Sequence, residues 1–530
     1  MNRRQPRRGF LLVIVLIVVM VLALGAYAFS ELMLSHREAT QLSGKQVQCR
    51  VMTDSGVEAV RLFLAQNKVA QMEAGGTYDN PDQFRGVLVV DDPDPIGRGR
   101  FSLLAPSVDE EGNLGGVRFG LENESTRLNL NALLMVDKQS PGGARRLLMA
   151  LPGCTEEIAD AVLDWIDDDD EPREYGAEVD YYSGLVPAYG PKNGPLDTVE
   201  ELLLVRGITP QLLFGQDINR NGVVDPFEDT GESTTVTTTT ESVSANSLMS
   251  GESDAITVEA DISRGWSAYL TLYSMERNVN SDGEPRIYLN QTDMNALYNE
   301  LKAVMQEDWA TFIVAYKQGG PYTGSDEAES GVTGTLDLTK QGGTPIAQVL
   351  DLIGKKTQVT FQGENEATVL ASPFSADPIA MGTYLPTLLD KVTVSQAAII
   401  PGQININQAP KTVLAGIPGM TETVLSEIIN RREFEATEEM PNRRFETWPL
   451  AEGIVTLEEM RLLMPFITGG GDVYRTQVVG YYEGGGASAR TEVVFDSTSA
   501  SPRVLFWRDL SHLGRGFALE TLGIELTELP

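Results

Sequence analysis

Cysteine and histidine are nearly absent. The 530 residues hold two of each, Cys49 and Cys154, His36 and His512. Two cysteines are too few for a disulfide framework. Cys154, in an apolar helical context, reads as a small buried side chain rather than half of a bridge. With so little His and Cys, a zinc site or a Cys/His nucleophile has almost nothing to be built from. Basic residues are also scarce. Against 75 Asp and Glu stand 41 Lys and Arg, a formal net charge of −34. Such a surface repels phosphate backbones and suits divalent cations. Clustered carboxylates occur, but no nucleophile or triad accompanies them, so the chain is read as non-enzymatic.

What is present begins at the start. Residues 1–9 (MNRRQPRRG) carry Arg3, Arg4, Arg7 and Arg8 and no acid, and residues 10–29 carry no charge at all. At about 1.5 Å per residue this helix is roughly 30 Å long, the thickness of a bilayer's hydrocarbon core. The arginines should stay on the cytoplasmic side while the rest crosses, so a single-pass inner-membrane protein with a periplasmic bulk is expected. A secretory signal would have a shorter apolar core and a small-residue cleavage site. The alternative is cleavage between Gly9 and Phe10, which leaves the core as an anchor; an uncleaved anchor is the third possibility. The basic leader ending in Gly before Phe resembles a type IV prepilin signal.

Residues 30–76 continue as an amphipathic helix, with Val47, Val51, Val57, Val60 and Leu64 at helical spacing, a Glu58–Arg61 pair, and Gly75-Gly76 at its end. Segments 100–106, 116–122, 474–482, 490–496 and 503–509 read as strands of one antiparallel sheet packed on that helix. The sheet is split into residues 77–126 and 471–530, with everything between inserted. The insert repeats itself: RLNLN at 127–131 returns as QININ at 403–407, and weakly as RIYLN at 286–290. The first and last copies lead to Pro-Gly turns with Thr155 and Thr421 as helix caps, a helix-hairpin-helix pattern over 127–229 and 401–470. Residues 230–254 read as a disordered Ser/Thr linker. Residues 255–400 read as an additional α/β module, with a helix over 292–305 whose Met294, Leu297, Leu301 and Val304 share a face. The predicted fold class is thus α+β: a pilin-like transmembrane and amphipathic helix on a small antiparallel sheet, with a large mainly helical domain and an α/β module inserted. DNA-binding hairpins need a second glycine and basic neighbours; here Thr155 and Thr421 sit beside Glu156, Glu157 and Glu422, so no nucleic acid is expected. The alternative kept is a membrane-anchored helix-hairpin-helix protein that binds DNA or another periplasmic ligand.

Two acidic stretches carry the chemistry. Asp217, Asn219, Asn221, Gly222, Val223, Asp225 and Glu228 match an EF-hand loop, in which calcium takes oxygens around a sharp glycine turn. The bland reading is an Asn-Gly turn followed by an Asp225–Glu228 capping box. The second stretch, DWIDDDDEPREYGAEVDYY at 164–182, crowds carboxylates at a helix C-terminus, where the dipole disfavours them. Unless solvated and splayed apart, they want a cation.

The RRG/FLLVIVLI start, the 164–182 stretch, PLDTVEELLLVRGITPQLL, ININQAPKTVLAGIPG and PRVLFWRDLSHLGRGF together resemble the type II secretion system minor pseudopilin K (general secretion pathway protein K) family. Pilin-like proteins usually carry Glu at the fifth mature residue; here that position is Ile14, and this family typically lacks the Glu. The resemblance covers the two ends and the helical insert, not obviously residues 230–400. It implies cleavage after Gly9 by a prepilin peptidase, N-methylation of Phe10, and a place at the tip of a periplasmic pseudopilus beside minor pseudopilins I and J. It also implies structural calcium in the acidic helical region, carried onto Asp167, Asp169, Glu178 and Asp180. Ile14 needs no partner amine, so such a subunit would initiate or cap the pseudopilus during protein export across the outer membrane.

Overall fold

The computed structural model describes residues 9–231, 235–242, 254–331, 334–437 and 440–524. The leader before Gly9 and residues 232–234 and 243–253 of the Ser/Thr stretch lie outside the described residues. Helix α1 (Gly9–Leu64) opens the chain. Its apolar first half, with mean hydropathy 3.1, is wholly unburied and is long and apolar enough to cross a membrane. Further along, Cys49, Met52, Val57, Val60, Phe63 and Leu64 form one buried stripe, the three-and-four spacing of an amphipathic helix. Val47 and Val51 were expected on this stripe; they point outward, 57% and 56% exposed, because the buried repeat runs through 49, 52 and 56. Glu58 accepts from Arg61 at 2.8 Å. The helix ends at Leu64, earlier than the Gly75-Gly76 expectation, because Asn67 Oδ1 accepts from Ala70 N–H and starts a short helix α2 (Lys68–Glu73). Strands β1 (Val87–Val90), β2 (Gly99–Val108), β3 (Leu114–Arg118) and β4 (Glu122–Asn123) follow.

The insert then begins, and it contains three equivalent units. Each opens on a two-residue strand that pairs in parallel with one far downstream: Leu128–Asn129 with Leu270–Thr271, Ile287–Tyr288 with Val392–Thr393, and Ile404–Asn405 with Ile467–Thr468. The last Asn of each copy fastens distant backbone. Asn131 exchanges two hydrogen bonds with Leu196, Asn290 two with Ile346, and Asn407 donates to the Arg443 carbonyl. Each copy carries a helix pair: α3 (Gly143–Met149) with α4 (Glu156–Ile166), α5 (Met294–Val304) with α6 (Glu307–Gly319), and α7 (Lys411–Ala415) with α8 (Glu422–Arg431). One continuous core runs through all three, from Leu128 to Ile467. The weak repeat at 286–290 is therefore as complete as the others, and the 255–400 module is better bounded as a middle copy over 286–394.

The linker reading of 230–254 is corrected where the residues are described. Strand β5 (Thr235–Ser242) pairs antiparallel with β6 (Asp254–Asp261) and lies against α3, while β6 lies against α7. Thr238 and Thr240 are buried, whereas Thr237 and Thr239 are exposed. Threonine is β-branched and suits a half-buried strand; composition suggested disorder, but the period of two decides.

The chain returns as β7 (Val473–Tyr482), β8 (Ser488–Asp496) and β9 (Arg503–Asp509). The sheet runs β1-β2-β7-β8-β9, with β3 on β2 and β4 on β7, all antiparallel. Four of the five expected strand segments fall within single strands of it, and 116–122 divides between β3 and β4. Phe101, Leu103, Val478, Val493 and Phe495 on one face meet the α1 stripe. Glycines set the closeness of that contact: a Cβ at Gly56 would lie 2.5 Å from Val478 Cγ1, and one at Gly480 2.4 Å from the Cys49 carbonyl oxygen. The other face carries ion pairs: Arg475 meets Glu124 at 2.6 Å and Glu492 of the neighbouring strand at 3.1 Å, and beside them Arg127, where the insert begins, meets Glu122 of β4 at 2.7 Å.

Candidate metal centre

The first acidic site is built at the end of α4. Thr155 caps the helix by accepting from Ile158 N–H. Asp160, Asp164 and Asp167 then recur at four and three residues, so one side of the helix carries carboxylates inward. Asp160 and Asp164 have no exposed surface and Asp167 is 7% exposed. Arg145 neutralises Asp160, and Arg173 reaches Asp164 at 2.7 Å while also pairing with one oxygen of Asp167. That leaves Asp167 Oδ1 without a partner. Glu178, 3% exposed, has no hydrogen bond to either carboxylate oxygen. Burial, then the charges of Asp164 and Asp167, push its pKa up to about 7. Asn193, in the left-handed region at φ 48, donates to the Asp169 carbonyl and to Asp170, and its own Oδ1 is buried without a partner.

Of the four ligands expected here, the structure turns Asp167 and Glu178 inward. Asp169 and Asp180 lie on the surface, Asp169 accepting from Glu171 N–H at 2.9 Å. Asp164 and Arg173 lie inside the 164–182 stretch but were not among the expected ligands, and Asn193, whose side chain donates back to Asp169 and Asp170, lies outside it. The signal for Asp164 was the spacing from Asp160; Asn193 had none. Bare carboxylate and amide oxygens in a buried place are costly. Their chemistry, hard oxygen without nitrogen or sulfur, fits a calcium-class cation. As the side chains stand, no three His, Cys, Asp or Glu residues among the described ones meet at one ligating point.

The second site is the 217–228 loop. Arg220 (φ 57) and Gly222 (φ 81) take left-handed backbone and coil the chain. Asp217 accepts the amides of Asn221 at 3.0 Å and Gly222 at 2.8 Å. Glu228 accepts from the amides of Asn219 at 2.9 Å and Asp225 at 3.1 Å. Asn219 and Asn221 both donate side-chain amides to one oxygen of Asp225, at 2.8 and 3.0 Å, and Asn219 Oδ1 is buried and unpartnered. Val223 donates its amide to Asn221 Oδ1. Burial pushes the Asp217 pKa up to about 6, against the two backbone amides that lower it. The loop thus brings Asp217, Asn219, Asn221, Asp225 and Glu228 into one hydrogen-bonded turn. Asn219 Oδ1, buried and unpartnered, could turn to a cation without losing a bond.

Gly9 and Phe10 lie at the start of α1, and Ile14 is 44% exposed on its apolar run. All three are far from the acidic sites in sequence.

Residues 126–214 match the family model described as type II secretion system (T2SS), protein K. The chain is 33% identical over 113 residues to the putative type II secretion system protein K of Escherichia coli strain K12, covering 19% of this chain and 34% of that protein. It is 35% identical over 104 residues to the type II secretion system protein K of Pectobacterium carotovorum subsp. carotovorum, covering 19% of this chain and 29% of that protein. The alignments therefore span about a third of these curated relatives. A chain of the GspK-GspI-GspJ complex from the enterotoxigenic Escherichia coli type 2 secretion system aligns with 90% of this chain and 98% of its own, at a TM-score of 0.34 and 12% identity. The matched segment holds α3, α4 and the acidic site that follows them, and over that segment the chain is similar to the type II secretion system protein K family.

Proposed function

We propose that this protein is a minor pseudopilin, anchored in the inner membrane by the apolar part of α1 with its bulk in the periplasm. It works at the tip of a type II secretion pseudopilus, where it helps initiate or cap the filament beside minor pseudopilins I and J. One observation carries this reading. The family segment 126–214 is inserted between β4 and β7 of a sheet whose opposite face is held by the continuation of a wholly exposed apolar helix. A filament subunit needs that combination: an apolar stem free to pack on lipid and neighbouring stems, and a head fixed rigidly to it. The helix pairs of the insert serve as packing hairpins; Thr155 and Thr421 are spent on capping, and Glu156, Glu157 and Glu422 repel phosphate.

Processing between Gly9 and Phe10 by a prepilin peptidase, with methylation of Phe10, belongs to this reading. Mass spectrometry of the protein from cells with an intact peptidase tests it. A mature chain beginning at N-methyl-Phe10 is expected. A chain beginning at Met1 would make it a plain anchored protein, and one beginning beyond residue 29 would remove the stem and the filament argument with it.

Calcium is the cofactor proposed for both acidic elements: Asp167 and Glu178, with Asp164 and Asn193 alongside, and Asp217, Asn219, Asn221, the Val223 carbonyl, Asp225 and Glu228 in the loop. In the first element the ion would supply charge to Glu178 and Asp167 Oδ1, which are otherwise buried bare; in the loop it would replace hydrogen bonds that now hold the carboxylates, and so fix the insert. Calorimetric titration of chelator-treated protein should show binding that Glu178→Gln and Glu228→Gln each reduce; unchanged heats in both variants would remove calcium from the proposal.

A further inference from the structure

The Asp217–Glu228 loop is gripped from outside as well as from within. Arg490, on β8 and with no exposed surface, donates to the carbonyl of Asn219. Gln477, on β7, donates to the Arg220 carbonyl at 2.6 Å, and Arg264 to the Gly222 carbonyl at 2.6 Å. Asn221 donates its side-chain amide to the Gly516 carbonyl at 2.5 Å. All these contacts use loop carbonyls or an amide, so the loop's carboxylates stay turned to its interior.

Arg490 therefore places a full, desolvated charge against the loop without a direct ion pair to it. The acids that act on this guanidinium are Asp217, Glu492, Glu228 and Asp225, three of them from the loop itself; burial is the larger effect and pushes its pKa down to about 10. Its Nε has no partner. The planar group cannot swing away, because the Asn219 carbonyl holds one end and Gln477 Oε1 lies 3.5 Å from Nη1 at the other.

We infer that Arg490 sets the loop's affinity for a divalent cation: its buried charge already balances Asp217, Asp225 and Glu228, and it opposes an ion that would do the same. The inference rests on the reading of this loop as a cation site. Two positive charges compete for one set of carboxylates, and in a partly desolvated place such repulsion is several times stronger than in water. A cavity of about 120 Å³ is lined by Asp217, Asn221 and Gly222 together with Gln477 and Glu492. At roughly 10–15 Å³ per water it holds several, so an ion has a wet route to the loop.

A guanidinium that merely docks the loop and one that balances its charge predict opposite signs. If Arg490 only docks, every substitution loosens the loop and weakens cation binding. If it balances charge, Arg490→Gln, which keeps a donor for the Asn219 carbonyl and drops the charge, binds calcium more tightly, by on the order of tenfold. Arg490→Lys keeps the charge and stays within about twofold of the parent. The experiment is a calcium titration by calorimetry on the full chain in detergent micelles, the loop's share being the heat lost in Glu228→Gln. Tighter binding in Arg490→Gln supports the inference; unchanged or weaker binding overturns it. No loop heat in the parent protein overturns the cation reading, and the inference with it. Should Arg490→Gln fail to fold, Gln477→Glu gives Arg490 a carboxylate partner from the neighbouring strand and should also tighten binding; an unchanged affinity there overturns the proposal equally.

Discussion

Glu276 lies where the end of the first copy meets the end of the third, its carboxylate accepting from the Thr468 hydroxyl. Burial first, then the charge of Glu446, raises its pKa from 4.5 to about 7. The folded chain therefore holds a proton that the unfolded chain has released between those two values. The sign follows: this contribution to stability is complete below pH 4.5 and is lost as pH rises through about 7. A size of about 1–3 kcal/mol is reasonable for a group that keeps some exposure. Urea unfolding at about pH 5 and about pH 8, with chelator present, should show the parent losing stability toward the higher pH. Glu276→Gln, neutral throughout, should flatten that difference; an equal slope in the variant would refute the assignment. At the same scale, the acidic site shows what single residues disclose. Glu178 and Asp167 were legible as carboxylates placed where charge is awkward. Which aspartates of the Asp167–Asp170 run turn inward depends on the phase of α4, and Asn193 enters only because the chain folds back to it.

Elements with a strong internal period were the most legible. The apolar run of α1, the strands β7 and β8 and the face of α5 follow from spacing, with Met294, Leu297 and Leu301 buried as expected; Val304, expected on the same face, is 39% exposed at the helix end. Two elements did not. The hairpin β5–β6 hid behind a Ser/Thr composition, since its burial depends on a partner strand and on α3 and α7. The middle copy hid because Tyr288 stands where the other copies have the first Asn, while its Asn290 still ties down Ile346. The helix–sheet contact gives the test at this scale. Gly480→Ala would set a Cβ against the Cys49 carbonyl, a backbone atom that cannot move aside without shifting α1. A loss of about 1–3 kcal/mol is expected in urea unfolding. Gly44→Ala, in the same helix with nothing within 4 Å, should instead be neutral or gain up to about 1 kcal/mol from helix propensity. Equal effects of the two would mean that α1 does not approach the sheet this closely.

At the scale of the whole molecule, the sheet is closed by strands from both ends of the chain, and the three copies share one core across the gap. The head thus shares a continuous core and a sheet fastened to a single stem, and what the stem lacks becomes informative. A carboxylate in the bilayer is costly unless an amine meets it. Subunits that carry Glu five residues into the mature chain find that amine on a neighbour; a subunit with Ile14 has no such demand and can stand where no neighbour lies beyond it. Ile14→Glu should therefore leave the periplasmic head intact, with an unchanged melting curve, because the residue touches none of it. In cells it should leave secretion unchanged or weaken it, with cross-linking to minor pseudopilins I and J reduced in step, since the added charge draws the protein toward positions inside the filament. Secretion raised well above the parent, with stronger cross-linking, would show that the stem had been waiting for a charge partner, and that this subunit belongs within the filament and not at its tip.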